Sequence, residues 1–251
     1  MIPLRDSIRS RRFPLVTVAL IALNVVVFLY QSTLGPRDLG LFFLRHGVVP
    51  VQMTLLPRFL LAGRLDVVGH LAGTLFSTMF IHGGLLHLGG NMLYLWIFGD
   101  NVEDRLGHFR YLLFYLLTGG LATMAHVFSA PASTIPLVGA SGAIAGVLGA
   151  YFISFPRSRV LALIPLLFFF HVTEVPAVIF LAFWFILQLI SGVGSLAPGS
   201  ADVVAWWAHV GGFAAGLILM RLLAGRRGPN EPPAAGERRP PLGRAPRRYF
   251  D

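Results

Sequence analysis

Long apolar runs broken by short polar turns dominate the chain. The first extends from about Phe13 to Tyr30, and others cover 85–99, 111–130, 136–156, 175–192 and 203–220. Each approaches the roughly 20 residues that a helix needs to cross a bilayer, and tilt or local thinning accommodates the shorter ones. In lipid a spanning segment must satisfy its own backbone hydrogen bonds, so these runs predict helices. The expectation is an all-α integral membrane protein with six crossings and both termini on the cytoplasmic side. Four arginines precede the first run, as in a secretory signal. The run exceeds such a signal's apolar core, however, and no small-residue cleavage site follows, so it reads as a retained helix.

The connections differ in kind. Residues 31–84 form a long, semi-apolar outer loop punctuated by Pro36, Pro50 and Pro57. Within it, 67–84 is apolar enough for a seventh crossing, but that crossing would put a cluster of arginines on the wrong side. It reads as interfacial or partly re-entrant. The stretch 160–170 is too short to span and reads as lying on the cytoplasmic surface. The tail 224–251 is rich in Pro and Arg, lacks apolar periodicity, and reads as disordered, with attraction to anionic lipid possible. Residues 1–12 become a cytoplasmic N-terminal segment and 13–223 the membrane domain.

Composition agrees with the pattern. Of 251 residues, 55% are hydrophobic and only 12% charged, about half the charge of an ordinary soluble domain. Cysteine is absent, which removes disulfides, thiolate zinc ligands and a thiol nucleophile. The net charge of +9 could point to nucleic acid, but its distribution does not. All 20 basic residues are arginine, and sixteen fall in the N-terminal segment, the 100–110 and 157–159 turns and the stretch from Arg221 onward. The other four lie in the first outer loop. That is the positive-inside pattern, and it accounts for the basic balance without nucleic acid.

Topology then brings a few costly polar groups to one level. Ser141 in Gly139-Ala140-Ser141-Gly142 lies near the outer end of the fourth run. His209 in Ala208-His209-Val210-Gly211-Gly212 lies roughly 10 Å below the outer end of the sixth, at about 1.5 Å per helical residue. The second run carries His87 and Asn91, whose i, i+4 spacing puts them on one helix face. Polar groups persist at membrane depth mainly when they face a partner or a wet cavity. A serine hydroxyl with a neutral imidazole as its base is the equipment of acyl transfer. His87, the Asn91 amide and the Ser141 backbone N–H are candidate oxyanion donors, aided by a helix N-terminus. Gly142-x-x-x-Gly146 and Gly212-x-x-x-Gly216 allow the two helices to approach closely.

Each residue taken singly has a plainer reading: Ser141 as helix packing, His87 and Asn91 as interhelical glue, His209 bonded to a carbonyl or lining an ion path. Metal binding is a rival for the histidines, but His82 and His87 lack zincin spacing and no His-Glu-x-x-His occurs. His46, His70, His108, His126 and His171 share no pattern. No carboxylate is placed to complete a triad, since Asp202 lies about two helical turns from His209 and Glu174 at the opposite end of its helix. A dyad is the reading. Trp206 and Trp207 read as an interfacial aromatic belt. A transporter would want charges along a path and inverted repeats, and neither is evident.

These residues resemble the rhomboid intramembrane serine proteases. The matching stretches are His82-Gly83-Gly84-Leu85-Leu86-His87-Leu88-Gly89-Gly90-Asn91-Met92, Phe98-Gly99-Asp100-Asn101-Val102-Glu103, Gly139-Ala140-Ser141-Gly142, and Ala208 through Gly216. The resemblance implies a six-helix bundle of rhomboid type with a catalytic Ser141–His209 dyad and an oxyanion site including His87 and Asn91. It implies a membrane-embedded first loop, and a fifth helix and cap gating lateral entry. It implies a serine endopeptidase that cuts single-pass or multi-pass membrane protein substrates near the outer face, using no metal or other cofactor. The location it implies is a cell membrane, that of a bacterial plasma membrane. The alternative is a non-proteolytic rhomboid-like protein that binds membrane clients. One departure stands out: many members carry a tyrosine four residues after the serine, beneath the histidine, and here that position is Ala145. Support for His209 must then come from elsewhere.

Overall fold

Most of the apolar runs are helices, and the polar residues that seemed to end them are used inside them. The computed structural model describes residues 1–166, 169–197 and 204–224. Helix α1 (Leu15–Gln31) is followed by the short helices α2 (Pro36–His46), α3 (Pro50–Thr54), α4 (Leu56–Leu61) and α5 (Leu65–Ser77). Then come α6 (Leu85–Leu106), α7 (His108–Ser129), α8 (Ser141–Ser154), α9 (Ala177–Gly194) and α10 (Trp206–Leu223). By length and apolar composition, α7, α9 and α10 can each cross a membrane. The segment Leu65–Phe80 and α6 pass the same test together, bent by 83° where they meet. Helices α1 and α8 are apolar but shorter. Most of the tail 224–251 and Asp202 lie outside the described residues.

Three expectations are corrected. The protein is mostly helical rather than all-α, because β1 (Ile2–Asp6), β2 (Arg159–Leu166) and β3 (Phe169–Pro176) form an antiparallel sheet in the order β1-β2-β3. β2 is too short to span, and it satisfies its backbone groups by pairing with β1 and β3 instead. Val160 and Ala162 turn one face of β2 into the core. Second, the 31–84 connection is largely helical. Its α5 is bent sharply from α6, and Met53, Leu71 and Val48 pack with Val127 in a small satellite core.

Third, 100–110 is not a polar turn. Helices α6 and α7 are separated by Gly107 alone, whose φ of +78° is a conformation that favours glycine. The acidic residues there remain helical because each has a partner. Glu103 accepts hydrogen bonds from the Val16 and Thr17 amides (2.8 Å each) and the Thr17 hydroxyl (2.7 Å), capping α1 after Pro14. Those amides belong to the helix's unsatisfied first turn, and a carboxylate there also meets the positive end of the dipole. Asn101 donates to Asp6 at 2.8 Å.

Helix α8 is the centre of the bundle, buried on every side from Gly142 to Tyr151. It packs between α7 and α10, meeting the Ala122 and Thr118 side chains on α7 and bare backbone on α10. A Cβ on Gly212 would run into the Gly142 carbonyl oxygen, and one on Gly216 into that of Gly146. At the far end of α8, Tyr151 stacks edge-on against Phe98, centroids 5.0 Å apart, and its hydroxyl donates to Asp6 at 2.6 Å. Burial, reinforced by Asp100 and opposed by the Tyr151 hydroxyl, pushes the Asp6 carboxyl up to about 7. A carboxyl held above its unfolded value stabilises most in its protonated form, so the contribution fades as pH rises from about 4 through 7. Thermal stability in detergent is expected to fall between about pH 5 and 7 and to level off above that, and Asp6→Asn to flatten that dependence. An unchanged profile in the variant would mean that Asp6 is not the titrating group.

Candidate functional site

The approach to Ser141 is built by the backbone. Val48 and Leu137 bridge the first loop to the segment before α8, and the Thr78 hydroxyl donates to the Leu137 carbonyl at 2.5 Å. The Gly139 amide donates to the Thr78 carbonyl at 2.9 Å. Gly139 has φ +130°, which a side chain would strain, and a Cβ there would lie 2.8 Å from the His87 ring. The chain then turns through Ala140 and enters α8 with Ser141 as its first residue. The 136–140 stretch is therefore not helical, and Ser141 stands at a helix end rather than partway down one. Its first-turn amides have no partner within the helix.

Four of the predicted residues can now be located. Ser141 Oγ and His209 Nε2 are 2.8 Å apart, across the glycine-lined contact of α8 and α10. The His87 ring and Ser141 Oγ both lie close to the position a Gly139 Cβ would occupy, 2.8 and 3.7 Å from it. His87 Nδ1 accepts from the Gly83 amide at 3.4 Å, which leaves the proton on Nε2, the atom turned to Gly139. Asn91 lies one turn along α6, buried, and its amide nitrogen has no hydrogen-bond partner among the described residues. A buried donor without a partner is costly, about 1–3 kcal/mol, and is accounted for where an acceptor is to arrive.

His209 has neighbours that sequence reasoning missed. Its Nδ1 is 2.7 Å from the Gln188 side-chain oxygen on α9. The Trp184 ring, one turn earlier on α9, lies 5.9 Å from the imidazole at 37°. Trp206 presents an edge at 6.2 Å and 88°. The rings that back the histidine thus come from α9 and α10, while Ala145 is fully buried in α8. Trp206 is part of this cluster rather than only an interfacial residue, and Trp207 Nε1 donates to the Gly192 carbonyl at 3.0 Å. The available signal was Gln188 itself, the one amide in the apolar run 177–190.

His82 stands behind His87, the rings 5.1 Å apart and edge-on. Its backbone is held at both ends by Gln31, which donates to the His82 carbonyl at 2.8 Å and accepts from its amide at 3.2 Å. The arrangement holds a hydroxyl next to an imidazole nitrogen, at a helix N-terminus and near the His87 ring, with the Asn91 amide one turn further along α6. Such a set can move a proton from oxygen to nitrogen and receive negative charge on a neighbouring oxygen.

Comparison with known proteins gives a consistent family. Residues 73–226 match the model of the Rhomboid domain. The chain is 32% identical over 149 residues to Rhomboid protein 1, mitochondrial, of Saccharomyces cerevisiae, covering 58% of this chain and 40% of that protein. It is 32% identical over 162 residues to RHOMBOID-like protein 6, mitochondrial, of Arabidopsis thaliana, covering 62% and 47%. It is 42% identical over 76 residues to Rhomboid protease GluP of Bacillus subtilis, covering 30% and 14%. The matched region spans less than half the length of these relatives.

Proposed function

The chain belongs to the rhomboid family, and from that premise we propose that it is an intramembrane serine endopeptidase acting on membrane-spanning proteins. The observation that carries the reading is the 2.8 Å contact between Ser141 Oγ and His209 Nε2 at the start of a buried helix. In this reading Ser141 Oγ attacks the scissile carbonyl carbon as its proton passes to His209 Nε2. The carbonyl oxygen becomes an oxyanion received by the Ser141 backbone N–H, the His87 Nε2–H and the Asn91 amide. Collapse breaks the C–N bond, with His209 returning the proton to the leaving amine. A water molecule deprotonated by the same imidazole then releases the acyl group.

The same reading makes α1, α6, α7, α8, α9 and α10 six crossings of a multi-pass membrane protein, both termini cytoplasmic. Pairing of β1 with β2 supports this, since it puts the N-terminal arginines at the same end of the bundle as Arg157 and Arg159. Substrates are cut near the opposite face, where Ser141 begins its helix. A protein that only bound membrane clients would have no use for the Ser141–His209 contact.

The test is reconstitution of the protein in liposomes with tagged single-span proteins. The expected result is a fragment pair cut within or beside the outer end of the substrate helix. Retention of intact substrates by the protein, with no fragment from any of them, would contradict the reading.

A further inference from the structure

His209 can act as a base toward Ser141 only if its Nε2 carries the lone pair, and nothing in the dyad itself decides this. The decision comes from α9. Gln188 is 7% exposed and packed inside the bundle. Its side-chain nitrogen lies 3.3 Å from the Trp184 carbonyl, a group that can only accept. That contact orients the amide with nitrogen toward Trp184 and oxygen toward His209. The reversed amide would set its oxygen against the Trp184 carbonyl oxygen, two acceptors with no proton between them. With an oxygen 2.7 Å away, His209 Nδ1 must be the protonated nitrogen of the neutral ring. Nε2 is then the acceptor, and the Ser141 hydroxyl at 2.8 Å is its donor.

We propose that Gln188 is a positioning residue: its side-chain carbonyl fixes His209 in the Nδ1–H tautomer and aims Nε2 at Ser141. The proposal rests on the hydrolase reading above, but its geometry can be tested without catalysis. Gln188 takes the place that a carboxylate fills in a triad, without adding a buried charge to an apolar bundle. An uncompensated carboxylate there would carry a large desolvation cost. A neutral carbonyl selects the tautomer and leaves partial negative charge beside the ring when the imidazolium forms. Trp184 and Gln188 lie at i, i+4 on α9, so one face of that helix supplies both the ring and the hydrogen bond. This is the support that the residue at Ala145 does not give.

The experiment compares wild type with Gln188→Leu and Gln188→Glu. Leucine removes the acceptor at similar volume, and glutamate keeps an acceptor oxygen in either protonation state. In 15N-histidine NMR spectra at neutral pH, the His209 signals are identified by their loss in His209→Ala. Wild type is expected to show a protonated Nδ1, and Gln188→Leu a mixed or reversed tautomer. Cleavage of the reporter should lose about 10–100-fold in kcat in Gln188→Leu, the range seen when the hydrogen-bond partner of a metal-bound histidine is removed. KM should be unchanged, the thermal midpoint should fall by no more than the few degrees that one unpaired buried N–H costs, and Gln188→Glu should recover most of the loss in kcat. A wild-type Nδ1 without a proton, or a Gln188→Leu variant with wild-type tautomer and kcat, overturns the proposal. An inactive wild type with the expected tautomer overturns the protease reading instead.

Discussion

Alanine at Ser141 or at His209 is expected to lower reporter cleavage on the order of 10⁴-fold or more, to the background of the assay. The two groups are 2.8 Å apart, and in the proposed mechanism they act on one proton. Without the imidazole, the hydroxyl has no acceptor for its proton as it attacks. Without the hydroxyl, the imidazole has no nucleophile to activate. Removing both should therefore cost no more than removing either, since residues that work as a unit are strongly non-additive. Ser141→Ala removes one oxygen, and His209→Ala removes a ring that is only part-buried. Both variants should keep the wild-type thermal midpoint within a few degrees in detergent. Rate constants for the two single variants and the double variant, measured in liposomes, check this directly. A double variant much slower than both single variants would mean that the groups act separately.

The second large effect concerns glycines rather than catalytic groups. Gly212 on α10 faces the Gly142 carbonyl oxygen, and Gly216 faces that of Gly146, each without room for a methyl group. The obstruction is backbone, which cannot rotate away as a side chain could. Alanine at either site should cost about 3 kcal/mol, the upper end of ordinary overpacking, or prevent assembly. Gly212 is one helical turn from His209, and Gly142 adjoins Ser141. Spreading the helices there lengthens the Ser141–His209 contact, and a misplacement of about 1 Å can cost on the order of 10²-fold in rate. Gly212→Ala should therefore lose activity even where it still folds. Gly120 on α7 is the control, because nothing lies within 4 Å of a Cβ added there. Gly120→Ala should be neutral or stabilising by up to about 1 kcal/mol through helix propensity. Thermal midpoints and cleavage rates of the three variants distinguish packing from mere loss of glycine.

Much of this arrangement was legible in the residues. Apolar runs located the main helices because lipid leaves the backbone few alternatives. The paired small-xxx-small motifs pointed to the close contact of α8 and α10. What failed was local. Residues 136–140 are apolar enough to read as the start of a helix, but Gly139 and the bridge to the first loop keep them out of one. Polar residues after Phe98 read as a turn because their partners are remote in sequence: Glu103 serves α1, and Asn101 serves Asp6. The β2–β3 hairpin was hidden for a similar reason. A short apolar run carries no period that separates a strand from surface-lying chain, and β1 is far away in sequence. Gln188 was passed over because a lone amide on an apolar helix gains meaning only from the residue opposite it.

The central claim is that Ser141 is a nucleophile activated by His209, and one measurement addresses it without knowledge of the substrate. The protein in liposomes is treated with a fluorophosphonate, which esterifies activated serine hydroxyls, and the adduct is mapped by mass spectrometry. The account predicts one time-dependent adduct, on Ser141, absent from His209→Ala. Failure of wild-type Ser141 to react, or equal labelling of Ser141 in His209→Ala, would contradict it.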